Sequence, residues 1–207
     1  MVESAGRLAA VVMASGFSRR MGRNKLLLPV GDGTVVGHVL DQVDRMGYRP
    51  VVVVSQYDEV LALARERGFY AVMNPTAVEG KSSSIRLGTA ALEALASEAG
   101  AAGIAFFMGD QVLLTDTLLT ELNEAFLQSR TGVVFPTYDG MPGSPGIFPW
   151  DMRGRLLALT GEDGGMKAAK EQPDRIIYVA AEPGWQGMDI DTEEAYALVR
   201  ERLGVAQ

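Results

Sequence analysis

Short unbroken apolar runs alternate with stretches of helical spacing along the first part of the chain. Leu8–Met13, Pro50–Val54, Tyr70–Met73 and Ile104–Phe107 have no polar face, as strands buried on both sides of a parallel sheet require. Between them Val35, Val36, Val39, Leu40 and Val43 recur at helical intervals, as do Val60, Leu61 and Ala64, and then Ile85, Ala91, Leu92 and Leu95. Leu118, Leu119, Leu122 and Phe126 form a fourth such face, with Thr115 or Asp116 placed to cap it. Strand and helix in alternation predict a doubly wound α/β sheet. After Arg130 the rhythm changes. Gly132–Pro136 and Gly146–Phe148 flank a glycine- and proline-rich stretch, Asp139–Pro145, which predicts a hairpin and a mixed second half. Ile176–Val179 reads as a further strand and Thr192–Leu203 as a closing helix, with Ala195, Tyr196, Val199 and Leu203 on one side. The expected architecture is one Rossmann-like, three-layer α/β domain over residues 1–207, mostly parallel, with the mixed part after about residue 130.

Composition narrows the chemistry. The 207 residues contain no cysteine and one histidine, His38. Disulfides, thiolate metal sites, cysteine nucleophiles and serine triads are therefore set aside, leaving carboxylates, lysine, arginine, backbone amides and hard metal ions. A net charge of −7 argues against broad contact with nucleic acid. Met1–Arg7 carries too few cations, and Leu8–Ala14 is too short an apolar run, for a signal peptide or a membrane span. The expectation is a cytoplasmic protein without a membrane or nucleic-acid partner.

Against that acidic background Arg19, Arg20, Arg23 and Lys25 cluster in the loop that follows the first strand, Ala14–Lys25. A glycine-bearing loop there lies at the carboxyl edge of the sheet, where backbone amides can face phosphate oxygens. The arginines turn it into a cradle for a polyphosphate. Gly16 and Gly22 fit neither the dinucleotide fingerprint nor the Walker loop. Asp110, in Met108-Gly-Asp-Gln111, ends the Ile104 run and is placed to hold Mg²⁺ near those phosphates. Asp189 and Asp191 lie two apart, on one side of an extended segment before the last helix. Asp191 or Thr192 can cap that helix, with Glu194 assisting.

The segment Ala14–Pro29, ASGFSRRMGRNKLLLP, resembles the signature of nucleotidyltransferases similar to molybdenum cofactor cytidylyl- and guanylyltransferases, approximately LAAGxSxRMGxxKxLLP. Its Lys-Leu-Leu-Leu-Pro ending resembles the cytidylyl branch, while Ser15 stands where alanine is usual. The resemblance implies a nucleotide-diphospho-sugar transferase-like fold, with about 1–130 binding the nucleotide and about 131–207 the acceptor. It implies that the amides of Ala14, Ser15 and Gly16, with Arg20 and Lys25, hold the triphosphate. It makes Asn74, Gly80, Ser83 and Ser84, in Asn74–Gly88, candidates for reading cytosine and ribose, with Lys81 a weaker one. Gly109-Asp-Gln-Val resembles the family's Gly-Asp-Gln-Pro metal motif, and Asp189-Ile-Asp-Thr its second one, so Asp110 with Asp189 or Asp191 would share the ion. The acceptor side departs further. Ser144, Glu162 and Met166 replace the histidine, acid and arginine of Gly-His-Pro and Gly-Asp-x-Gly-Ala-Arg, and Lys167 adjoins the lost arginine. The implied reaction is Mg²⁺-dependent transfer of CMP from CTP to the terminal phosphate of molybdenum-bound molybdopterin, with a molybdenum hydroxylase as the recipient of the product. Arg20, Lys25 and Asp110 would carry the catalysis. Transfer to a sugar 1-phosphate and a non-catalytic nucleotide-binding maturation chaperone stand as alternatives.

Overall fold

In a computed structural model of the chain, which describes residues 7–205, the apolar runs become the centre of an eight-stranded sheet. Residues 1–6, part of the stretch weighed above as a leader, and 206–207 lie outside the described residues. Strand β1 (Leu8–Ala14) is followed by a two-stranded ribbon, β2 (Pro29–Val30) with β3 (Gly33–Thr34), then α1 (Val35–Arg45), β4 (Val51–Ser55), α2 (Asp58–Glu66) and β5 (Tyr70–Met73). Next come α3 (Lys81–Ala99), β6 (Gly103–Met108), α4 (Asp116–Ser129), β7 (Val133–Tyr138), β8 (Met141–Pro142) and β9 (Gly146–Pro149). Two short helices, α5 (Arg153–Leu157) and α6 (Gly165–Lys170), precede β10 (Ile176–Ala181) and α7 (Glu193–Arg202).

The strand order is β10-β7-β9-β6-β1-β4-β5, and only β8 and β9 run antiparallel to their neighbours. Alternate residues of β1 feed two cores. Ala10, Val12 and Ala14 join the apolar faces of α1, α2, α4 and α7, while Ala9 and Val11 join those of α3, α5 and α6. That division produces the three layers. It also fixes one close approach, because a Cβ on Gly88 of α3 would stand 2.4 Å from Val11 Cγ1. Only a bare backbone lets the helix lie this near the strand.

The chain leaves β1 for β4 and β5 and then crosses back to β6 on the other side of β1. Such a reversal opens a crevice at the carboxyl ends of the strands. Here the ends of β1 and β6 are drawn together: the Gly109 N–H donates to Met13 O at 2.9 Å, and a Cβ on Gly109 would lie 3.1 Å from that of Ala14. The arginine-rich loop and the Asp110 segment therefore meet over one crevice.

The second half is mixed, as its turn composition predicts, but β9 does more than close a hairpin. It inserts between β6 and β7 and pairs antiparallel with both, while β8 folds back on β7. Leu203 lies beyond the end of α7 and is exposed, so it does not share the buried face of Tyr196 and Val199. The cap of α7 is Thr192, whose hydroxyl accepts from Ala195 N at 3.2 Å. No helix among the described residues is long and apolar enough to cross a membrane.

Candidate active site

Past Ala14 the chain turns sharply. Ser18 and Gly22 adopt positive φ, the N–H groups of Met21 and Gly22 donate to Ser18 O, and the Ser18 hydroxyl accepts from Lys25 N at 3.1 Å. This folding carries Lys25 inward. It is 8% exposed, in a loop whose other cations face solvent. Its Nζ pairs with Asp110 and, at 2.7 Å, with Asp191. Burial lowers the Lys25 pKa, and the two carboxylates more than offset that, so the ammonium is held above its ordinary range. Arg20 Nη1 reaches Asp191 from outside at 3.0 Å. The hydrogen bond from Lys25 chiefly holds Asp191 below the usual carboxylate range. Asp191 thus serves the cations, and Thr192 rather than Asp191 caps the helix.

Asp189 points elsewhere. Ile190 is fully buried between the two aspartates, and Asp189 opens onto a large cavity. Although exposed to that cleft, its carboxyl is crowded by protein; burial first, and then the charge of Asp110, push its pKa up to about 6. Gln111 adjoins the pair with its Nε2 donating to Gly187 O at 3.2 Å and its buried Oε1 left without a partner. No group of three His, Cys, Asp or Glu gathers to cage an ion among the described residues. Mg²⁺ takes one or two carboxylates and completes its shell with phosphate and water oxygens. The donor set of Asp110 and Asp189, with an orphaned amide oxygen beside it, fits such an ion.

The raised pKa has a testable consequence. An acid whose folded pKa exceeds its unfolded value contributes stability that is complete below about pH 4 and is lost as pH rises through about 6. In EDTA, the melting temperature of wild type relative to Asp189→Asn should therefore fall between those pH values. A difference that stays flat across the range would contradict the assigned environment.

Two cavities adjoin at the crevice. The smaller, about 220 Å³, is lined by Ser15, Gly16, Phe17, Gly80 and Ser84 among others, and the larger, about 730 Å³, by Phe106, Phe135, Tyr138, Phe148 and Asp189 among others. Met13, Lys81 and Met108 border both. Asn74 and Ser83 do not reach either wall. They are 1% exposed, and Asn74 Nδ2 lies 3.0–3.1 Å from the hydroxyls of Ser15, Ser83 and Ser84 while its Oδ1 accepts from Thr76 N. Ser83 also donates to Gly80 O at 2.8 Å. The pair forms a hydrogen-bonded knot beneath the small cavity and holds its wall, which corrects the expectation that both face a base. Ala14 is likewise buried, with its carbonyl accepting from Ser55 Oγ at 2.7 Å.

Glu162 falls in the stretch expected on the acceptor side, yet it lines the small cavity against Gly80. Only the docking of a distant loop puts it there, and no local pattern signals that. Lys81, at the junction of the two cavities, is the other residue whose importance spacing understates.

A model of the MobA-like NTP transferase domain matches residues 10–176. The bifunctional protein GlmU of Clavibacter sepedonicus is 27% identical over 174 residues, which are 81% of this chain and 32% of that protein, so the chain spans about a third of its length. Among solved structures, a homologue of Mycobacterium tuberculosis Rv0371c from Mycobacterium sp. strain JC1 superposes with a TM-score of 0.81 at 24% identity, covering 98% of each chain. Rv0371c of M. tuberculosis H37Rv, in complex with manganese, superposes at 0.73 with 25% identity, covering 94% of this chain and 98% of that one. A cation-rich loop, a carboxylate pair and two joined cavities thus sit on a chain most of which the family model covers; this protein belongs to the MobA-like NTP transferase domain family.

Proposed function

We propose that the protein transfers CMP from CTP to the terminal phosphate of molybdenum-bound molybdopterin, releasing pyrophosphate. The observation that carries this reading is the pair of cavities sharing one border at Met13, Lys81 and Met108, with Asp110, paired to Lys25, two residues beyond Met108 in the chain. A nucleotide in the small cavity and an acceptor in the large one would bring their phosphates together at that border.

A phosphate monoester has a second pKa near 6 and is largely a dianion at neutral pH. An acceptor phosphate oxygen can therefore bond to the α-phosphorus without a general base, as the bond to the bridging oxygen of the departing pyrophosphate breaks. His38 agrees with this, since its ring is engaged with Val30 O at 2.6 Å on α1. Lys25 has three N–H donors and gives two to Asp110 and Asp191, so one remains for a phosphate oxygen. Arg20 adds an exposed guanidinium paired with Asp191. Asp110 and Asp189 would hold Mg²⁺, which would supply positive charge against the phosphates. Manganese in the M. tuberculosis relative supports a divalent ion here.

The large cavity favours a flat acceptor. Phe148 stands edge-on to both Phe106 and Phe135, with ring centroids 5.6 Å apart, and Gly165 has no Cβ where one would strike the Phe148 ring at 2.6 Å. A pterin packs against such walls, and Lys170 and Lys81 supply cations at the margin. Gln111, Ser144, Asp189 and the hydroxyls of Tyr138 and Tyr178 supply the hydrogen bonds on this wall. Ser144 in place of a histidine and Met166 in place of an arginine leave that wall less polar than the family pattern. The product would pass to a molybdenum hydroxylase.

The test is pyrophosphate release from each of the four nucleoside triphosphates, with purified molybdenum cofactor or a panel of sugar 1-phosphates as acceptor. Release with CTP and the cofactor is the expected result. Release only with a sugar phosphate would reassign the acceptor, and nucleotide binding without any release would favour a maturation chaperone.

A further inference from the structure

The loop after α5 reaches across the fold to finish the start of α3. No side chain caps this helix. Instead Gly161 O accepts the Ser82 N–H at 3.2 Å, and Arg86 Nη1 donates to Leu159 O at 2.9 Å and to Ser82 Oγ at 3.0 Å. Gly80 makes the docking possible. Its φ is +100°, and a Cβ there would stand 2.6 Å from Gly161 O and 2.8 Å from the Glu162 carboxyl. Glu162 is thus laid against the Gly80 backbone, in the wall of the small cavity.

Among the other lining residues Lys81 brings a cation at the border with the large cavity, and the rest offer a base few side-chain donors or acceptors. Met13, Phe17, Ala77 and Met108 are apolar. Ser15 donates to Val54 O and Ser84 donates to Ser15, so neither hydroxyl has a free proton. Glu162 is the one carboxylate among the lining residues, and it is exposed to the cavity with its acceptor oxygens available. An ionised carboxylate only accepts hydrogen bonds. It favours a base edge carrying an exocyclic amino group and disfavours one presenting a carbonyl there, and cytosine differs from uracil in this way.

We infer that Glu162 reads the nucleobase by accepting a hydrogen bond from its exocyclic amine, so that amino-bearing bases are selected over uracil. The inference rests on the reading of the small cavity as the nucleotide site. It goes beyond that reading by assigning base choice to a residue of the acceptor half, held in place by Arg86 and Gly80.

The experiment is equilibrium binding of CTP, GTP and UTP, with Mg²⁺, to wild type and Glu162→Gln. The triphosphate is common to all three ligands, so ratios of dissociation constants isolate the base. Wild type should bind CTP or GTP more tightly than UTP by roughly ten- to a hundredfold, the usual strength of a hydrogen bond to a charged group. Glutamine keeps the shape but offers both a donor and an acceptor, and should bring the ratio to within a few-fold, chiefly by strengthening UTP. An unchanged ratio in Glu162→Gln, or equal binding of UTP and CTP by wild type, would overturn the assignment while leaving the transferase reading intact. Failure of every triphosphate to bind would defeat the nucleotide site itself.

Discussion

Lys25→Ala is expected to lower kcat/KM for the nucleoside triphosphate about a hundredfold, and to lower the melting temperature in EDTA as well. The first effect follows from losing a charge-assisted contact to phosphate, worth roughly 1.5–3 kcal/mol. The second follows from burial. Asp110 is 5% exposed, and Lys25 is the cation that compensates it. Removing one partner of a buried ion pair leaves an uncompensated charge and is far costlier than losing a surface pair. Arg20→Ala supplies the contrast. The Arg20 side chain is 71% exposed, so its loss should weaken triphosphate binding about tenfold and leave melting nearly unchanged. Equal effects of the two substitutions on melting would show that Lys25 is not the buried member of the cluster.

The strands were legible as unbroken apolar runs, and the longer helices by their period. β5 has the bounds that its apolar run predicts, and β4 begins one residue later, at Val51. The ribbon of β2 and β3, and the short α5 and α6, are below the length at which a period can be read. Arg20, Lys25 and Asp110 could be offered as candidates because they lie in the loops that follow strand ends, where topology alone brings loops together; Asp189 could be offered because it precedes the last helix in an extended segment. What sequence could not supply was direction. Asp189 and Asp191 share one side of an extended segment, yet one opens on the large cavity and the other pairs with Lys25 and Arg20. Asn74 and Ser83 have the right chemistry to read a base and are used instead to rivet the first loop to α3. Glu162 shows the converse: its neighbours in sequence fall in the stretch expected to bind the acceptor, while in space it lies against Gly80 in the wall of the small cavity. Long-range docking through Gly161 and Arg86 decides its role, and a linear pattern carries no trace of it.

Asp110→Asn separates chemistry from binding. The substitution keeps size and removes a full negative charge, and Lys25 still has Asp191 as a partner at 2.7 Å, so the fold should persist. Triphosphate affinity should change less than about tenfold, because the phosphate contacts of Lys25 and the loop remain. Turnover should fall roughly a hundred- to a thousandfold, the loss expected when a group that stabilises developing charge is removed. The asymmetry arises because negative charge builds up on the transferring phosphoryl group and the leaving pyrophosphate only during reaction, where the carboxylate-held ion would neutralise it. Asp189→Asn should behave alike, sharing the same ion. Asp191→Asn should behave differently: it frees Lys25 and Arg20 from their common anchor, so the loss should appear mainly in triphosphate binding, with melting preserved by the Thr192 cap. Single-turnover rates, dissociation constants and melting temperatures of the three variants test the division. An Asp110→Asn protein with wild-type turnover would remove the metal role from this residue, and an Asp191→Asn protein that binds normally but does not turn over would move that role to Asp191.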